Sequence, residues 1–246
     1  MSSRTVSTGK NGTAGKVKAE LDALGSQEKA VHLSRFFKTG AGQYGEGDRF
    51  IGVRVPDQRR IAKRYGNLTL DELDRLLASP IHEHRLTGLL ILVEQYTKSQ
   101  EASFRRQIVD FYLSRLKRVN NWDLVDLSAP KLLGEHLVRH PEERAMLSAM
   151  ADSTNLWERR VAVLATYPMI KRGQFDELLA LAEALLADTH DLMHKAVGWM
   201  LREAGKVDLA VLEEFLNKHA SAMPRTMLRY AIERLEPARR RYFMGR

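Results

Sequence analysis

The feature that most constrains this chain is a helical repeat. Four stretches align with their cores in register: Glu83-His-Arg-Leu-Thr-Gly-Leu-Leu90, Trp122-Asp-Leu-Val-Asp-Leu-Ser-Ala129, Trp157-Glu-Arg-Arg-Val-Ala-Val-Leu164 and Met193-His-Lys-Ala-Val-Gly-Trp-Met200. Their starts lie 39, 35 and 36 residues apart. The sixth column holds Gly88, Leu127, Ala162 and Gly198, mostly small residues, which let a neighbouring helix approach closely. A weaker fifth copy begins at Pro224-Arg225. Paired helices at such a period describe a HEAT/armadillo-like solenoid. The expected fold is all-α: a HEAT/armadillo-like α-solenoid of paired antiparallel helices, curved, with equivalent helices lining one concave face.

Local signals agree. Leu70, Leu73, Leu76 and Leu77 recur at three- and four-residue steps, as do Leu178, Leu181, Leu185 and Leu186, and Leu209, Leu212, Phe215 and Leu216. Thr69-Leu-Asp-Glu72 reads as a capping box, and Asn155 to Glu158 follows the same logic. Stops are expected near Gly66, Pro80, Pro141, Gly173, Gly205 and Pro237. Sustained alternation of period two is nearly absent, so no strand is expected. We read 1–16 as a disordered leader, 17–236 as a single repeat domain and 237–246 as a basic C-terminal tail. No apolar run approaches the ~20 residues of a membrane span, and no secretory h-region is present. The expected setting is cytoplasmic, close to the nucleoid.

Composition excludes several chemistries. The chain has no cysteine. A thiol enzyme, a disulfide scaffold, a Cys-ligated zinc site and an iron–sulfur centre are therefore ruled out. The net charge is +8, but most of it sits at the ends. Residues 1–16 contribute +3 and 237–246 contribute +4, leaving +1 for 17–236. Any argument for nucleic acid must rest on how charge is distributed in the body.

The repeat helices carry that argument. All three tryptophans fall in them. Trp122 and Asp126 are four residues apart and share a helix face; so do Lys195 and Trp199, with Arg202 three further on. Trp157 and Arg160 belong to the third copy. Aromatic rings with Arg and Lys suit a nucleic-acid backbone and its bases. Taken alone, each Trp reads equally well as packing between repeats, Trp157 more so, and Arg160 or Arg202 as a surface charge.

Together these stretches resemble a known family. Asn121-Trp-Asp-Leu-Val-Asp126, Leu156-Trp-Glu-Arg-Arg-Val-Ala162, Ala196-Val-Gly-Trp-Met-Leu-Arg-Glu203 and Phe50-Ile-Gly-Val-Arg-Val-Pro-Asp-Gln-Arg59 resemble the AlkD-type DNA alkylation repair family, in the same order, from about residue 28 to 236. The resemblance implies HEAT-like repeats around duplex DNA, and monofunctional release of N3- and N7-alkylated purines without base flipping. Trp122 and Trp199 match the family's two aromatic site residues, Asp126 its catalytic carboxylate and Arg160 its site arginine, expected to hold a phosphate. Where some members place a tyrosine, this chain aligns Phe36; across the insert Gly40–Asp48, Tyr44 is the other candidate. Members lacking the site residues bind DNA without excision, which makes a non-catalytic DNA-binding protein the alternative. A third class is a protein-interaction solenoid with no nucleic-acid role.

Charge suggests the rest of the interface. Arg54, Arg59, Arg60, Lys63 and Arg64 fall in eleven residues with Asp57 alone opposing. We expect Arg59, Lys63, Lys195, Arg202, Arg225 and Arg229 to meet double-stranded DNA. The acidic stretch 176–191 is expected on the opposite, convex side. The chain is expected to act as a monomer without cofactor or metal. The GxGxxG of Gly40 to Gly45 lacks the strand–turn–helix context of a dinucleotide site and reads as a loop. His136/His140 and His190/His194 are i,i+4 pairs with no evident third ligand.

Overall fold

A computed structural model describes residues 12–245. Among these residues the fold is all-helical, an α-solenoid with no strand; a single bridge between Arg49 and Ile81 is the one extended pairing. The chain divides into two compact units, Met1–Val119 and Asn120–Arg246. No helix of the described residues is long and apolar enough to cross a membrane.

Unit 1 contains α1 (Ala14–Ala23), α2 (Gln27–Phe36), α3 (Val55–Arg64), α4 (Leu70–Leu77), α5 (His82–Lys98) and α6 (Ala102–Ser114). The first repeat copy lies in α5, against which α1, α3 and α4 pack. Leu73, Leu76 and Leu77 of α4 are buried, as the spacing requires. Thr69 caps α4 by accepting from the Glu72 amide at 3.3 Å, while the Glu72 carboxylate accepts from the Ala14 amide at 2.6 Å. The acid of the capping box thus ties down the start of α1 instead of closing its own box.

Residues 1–11 of the expected leader lie outside the described residues. Its last part is a correction: Ala14 is already helical and buried. The Phe50-Ile-Gly-Val-Arg54 segment owes its shape to Glu83. This buried carboxylate accepts from the amides of Ile51, Gly52 and Val53, at 2.7 Å from Gly52. Gly52 has φ +83°, and a Cβ there would sit 2.2 Å from the Ser26 carbonyl, so only glycine fits. Asp48 lies beside Glu83's helix, bound to His82 at 2.7 Å and Arg85 at 2.6 Å. Burial pushes its carboxyl up, but His82 and Arg85 outweigh that and hold it below its ordinary value.

Unit 2 contains α7 (Trp122–Ser128), a π-type turn Pro130–Gly134, α8 (Glu135–Arg139), α9 (Met146–Ala151), α10 (Leu156–Ala165), α11 (Tyr167–Ile170), α12 (Asp176–Ala184), α13 (Asp191–Val207), α14 (Leu209–His219), α15 (Arg225–Ala231) and α16 (Pro237–Met244). Repeat copies two to five fall in α7, α10, α13 and α15. These pack in succession, α7 on α10, α10 on α13 and α13 on α15. The stop expected near Gly205 comes two residues on, at Val207, the last residue of α13; a Cβ at Gly205 would meet Leu212 Cδ2 at 2.4 Å. One expectation is corrected. Residues Pro237–Met244 are not a tail but α16, docked by a fully buried Phe243.

The small-residue column marks a close approach. A Cβ on Gly198 would lie 2.4 Å from the Met227 carbonyl oxygen and 2.6 Å from Tyr230 Cβ. Gly198→Ala should therefore part α13 from α15 and destabilise the fold by about 1–3 kcal/mol, despite alanine's better helix propensity. Gly15→Ala, on an exposed turn of α1 with only Thr13 Oγ1 at 3.7 Å, should be neutral or stabilising. Urea unfolding of both variants checks this; a Gly198→Ala protein as stable as the parent contradicts the packing account.

Candidate active site

Three helices of unit 2 build the site. Asn121 caps α7, its Oδ1 accepting from the Trp122 amide at 2.9 Å. That cap starts the helix so that Trp122 and Asp126 lie one turn apart on the same face. Asn155 caps α10 in the same way, accepting from the Trp157 amide at 2.9 Å, and its Nδ2 donates to Glu158. Arg160 follows one turn after the half-exposed start of α10 and is buried.

Asp126 and Arg160 meet directly. Arg160 Nε donates to Asp126 Oδ1 at 2.9 Å and Nη2 to Oδ2 at 2.8 Å. This is the two-pronged fork of a guanidinium on a carboxylate. The third nitrogen, Nη1, donates to the Leu192 carbonyl on α13 at 2.6 Å. One side chain therefore ties α7, α10 and α13 together. The side chains of Arg160 and Asp126 are 6% and 15% exposed. Burial raises the Asp126 carboxyl above its ordinary pKa; Arg160 opposes the rise, and Asp123 adds to it. Asp126 thus keeps a small solvent-exposed fraction, in a setting where charge interacts strongly.

Arg160 was expected to hold a phosphate. In this structure Nε, Nη1 and Nη2 each donate within the protein, one N–H remains on each of Nη1 and Nη2, and the side chain is 6% exposed. Its observed work is to orient Asp126. No sequence spacing could reveal this, because the two residues are 34 positions apart.

Trp199 sits two turns beyond Leu192 on α13, about 10 Å along the axis and on the same face. It is half-buried, and its Nε1–H donates to Glu203 Oε1 at 3.3 Å. Glu203 is buried yet charged. Burial pushes its carboxyl up, but Lys206 at 2.7 Å, Lys171 at 3.7 Å and the indole hold it below its ordinary value. The sequence reading missed Glu203 as a site component, although the i,i+4 spacing from Trp199 signalled it. Trp157, by contrast, is buried at 9% exposure and is packing.

The other expected DNA contacts divide. Arg59 and Lys63 share one face of α3, exposed and without an ion pair among the described residues, whereas Arg54 and Arg60 are turned to Asp57 and Arg64 to Glu20. Lys195 pairs with Asp191 at 2.7 Å. Arg202 is drawn to Glu233 and Glu203 and is 19% exposed, so it is an internal link more than a free cation. Arg225 donates to the Met244 carbonyl at 3.0 Å while remaining exposed; Arg229 is exposed and has no ion pair among the described residues. Within the acidic stretch, Glu177, Asp188 and Asp191 serve as partners for Arg144, Arg159 and Lys195.

In unit 1, Phe36 is exposed and Tyr44 donates its hydroxyl to the Phe36 carbonyl at 3.4 Å, so both candidates for the N-terminal aromatic sit together. The Gly40–Gly45 segment is a string of turns closed by Gln43 and Glu46 side chains. Among the described residues, His140, Glu142 and Glu143 bring metal-ligand atoms within 4.8 Å of one another. Those carboxylates already face His140 and His136 at 3.2 Å. His190 Nδ1 accepts from the Leu192 amide and caps α13.

An all-helical solenoid with a guanidinium-held carboxylate and two half-buried indoles defines the class, a repeat protein with a candidate polar site. The family profile described as DNA alkylation repair enzyme matches residues 17–235, and the chain belongs to that family. No curated protein sequence matches significantly. The fold is similar to a solved structure described as a predicted DNA alkylation repair enzyme from Enterococcus faecalis, with a TM-score of 0.68 and 17% identity over 87% of this chain and 97% of that one.

The pair makes a stability prediction. Arg160→Ala leaves a largely buried carboxylate unpaired and should cost about 3–5 kcal/mol. Asp126→Leu/Arg160→Met, which removes both charges, should recover a large part of that loss. Denaturant midpoints decide it: a double variant as weak as Arg160→Ala contradicts the reading.

Proposed function

We propose that this protein is a monofunctional DNA glycosylase that hydrolyses the N-glycosidic bond of N3- or N7-alkylated purines in duplex DNA, working as a monomer without base flipping. The observation that carries the reading is Asp126, a carboxylate held in a fixed orientation by Arg160 and 15% exposed.

The chemistry suits these groups. An alkylated purine is cationic and leaves as a neutral base, so little protonation of the leaving group is needed. The demand lies in stabilising positive charge on the deoxyribose as the C1′–N bond breaks, and in supplying water. Asp126 does the first electrostatically, in a setting of low dielectric. It also orients water, whose oxygen bonds to C1′ and whose proton passes to the carboxylate, as in glycoside hydrolysis. The faces of Trp122 and Trp199 favour a cationic nucleotide, at about 0.5–2 kcal/mol each. Glu203 fixes the Trp199 ring in plane. Arg160 contributes by positioning Asp126, and Arg59 and Lys63 offer unpaired charge to the phosphate backbone.

A second reading draws on the same pair. A bidentate link joining three helices is also what a DNA-binding solenoid without activity needs for stability. Single-turnover release of 7-methylguanine from methylated duplex separates the two. Asp126→Asn should lower the rate at least ~100-fold, and alanine at Trp122 or Trp199 about 2- to 30-fold. The rate should also fall as pH drops and Asp126 becomes protonated. Because its pKa is raised, the midpoint of that limb should lie above the ~3.9 of a solvated aspartate. Wild-type rates in Asp126→Asn would leave the binding reading standing.

A further inference from the structure

The C-terminal helix pair carries charge that the fold does not use. Among the described residues of unit 2, every arginine before α15 faces a carboxylate. Arg229 on α15, and Arg240 and Arg241 on α16, do not. All three are exposed, and all three line one cavity of about 440 Å³. The single carboxylate at its rim, Glu233, is turned to Arg202. The cavity floor is apolar, from Ile232 and Met244.

This arrangement is built, not a loose basic end. Phe243 is fully buried and anchors α16. Arg225 donates to the Met244 carbonyl at 3.0 Å at the helix's far end. Arg239 donates to Glu213 on α14 at 2.8 Å and fixes its rotation. With Arg239 committed inward, Arg240 and Arg241 are left on the side that Arg229 shares. Three guanidinium forks around one opening, whose one carboxylate among the described residues, Glu233, is held by Arg202, suit a phosphate, which accepts paired N–H donors.

We propose that Arg229, Arg240 and Arg241 form a pocket for a backbone phosphate of duplex DNA, assembled when α16 docks. The choice of DNA as the source of that phosphate rests on the function proposed above. The pocket is linked to the candidate site by Arg202, which bridges Glu233 at the rim to Glu203 beneath Trp199. A phosphate held there would set the register of the strand relative to α13.

The test is anisotropy binding of an undamaged duplex at several salt concentrations, alongside single-turnover release of 7-methylguanine at saturating enzyme. Arg240→Ala/Arg241→Ala should weaken binding on the order of 10-fold and flatten the salt dependence by about one to two units of slope. The saturated release rate should stay within about 3-fold of the parent. Arg229→Ala combined with Arg240→Ala should lose less than the sum of the two, because both serve one phosphate. At matched ionic strength, inorganic phosphate should compete with DNA for the parent more than for the variant. The control Lys117→Ala/Arg118→Ala removes equal charge from unit 1. Unchanged affinity in the α16 variant, or an equal loss in the control, overturns the pocket. The two proposals separate cleanly: a protein that shows this binding pattern but releases no base retains the pocket and loses the glycosylase assignment.

Discussion

The bidentate contact between Asp126 and Arg160 is the constraint around which the C-terminal half is arranged. A half-buried carboxylate is costly unless it is paired and its lone pairs are satisfied. Arg160 supplies both prongs, and its remaining nitrogen closes on the Leu192 carbonyl. Through one side chain, α7, α10 and α13 are fixed in position. The same contact leaves Asp126 oriented and partly open, in surroundings where burial already strains its charge. Stability and the proposed reactivity are therefore drawn from one interaction. The residues that hold the helices together are the ones expected to meet the developing positive charge on the sugar.

Much of the fold was legible because helical periodicity is a local property. The leucine stripe of α4, the Asn155 cap and the four repeat starts each depend on neighbours within a turn or two. The small residue at position 198 was legible for a different reason: only a close helix crossing makes glycine useful inside a helix that it otherwise weakens. The same logic applies to Gly205, two residues before the end of α13, which makes room for Leu212, seven residues on and already in α14.

What was not legible is long-range polar pairing. Asp126, Trp122 and Trp199 stood out through their spacing and their resemblance to a family, but Arg160's partner lies 34 positions away. Glu83 looked like the first residue of a repeat and is a buried acceptor for three consecutive amides. The basic end at 237–246 was read from composition as a tail, and Phe243, one apolar residue among arginines, docks it as a helix. The net charge of +8 changes meaning accordingly. Arg239, Arg240 and Arg241 of its C-terminal share belong to a folded surface, while many arginines in the body are engaged in ion pairs.

The central claim is that Asp126 and Arg160 act as a unit, the second serving the first. A double-mutant cycle on single-turnover 7-methylguanine release, using Asp126→Asn and Arg160→Lys at saturating enzyme, tests it most directly. If Arg160 acts through Asp126, each single change slows release and the double variant is no slower than Asp126→Asn alone. Independent, additive losses would contradict it, and would return Arg160 to a separate role on the DNA.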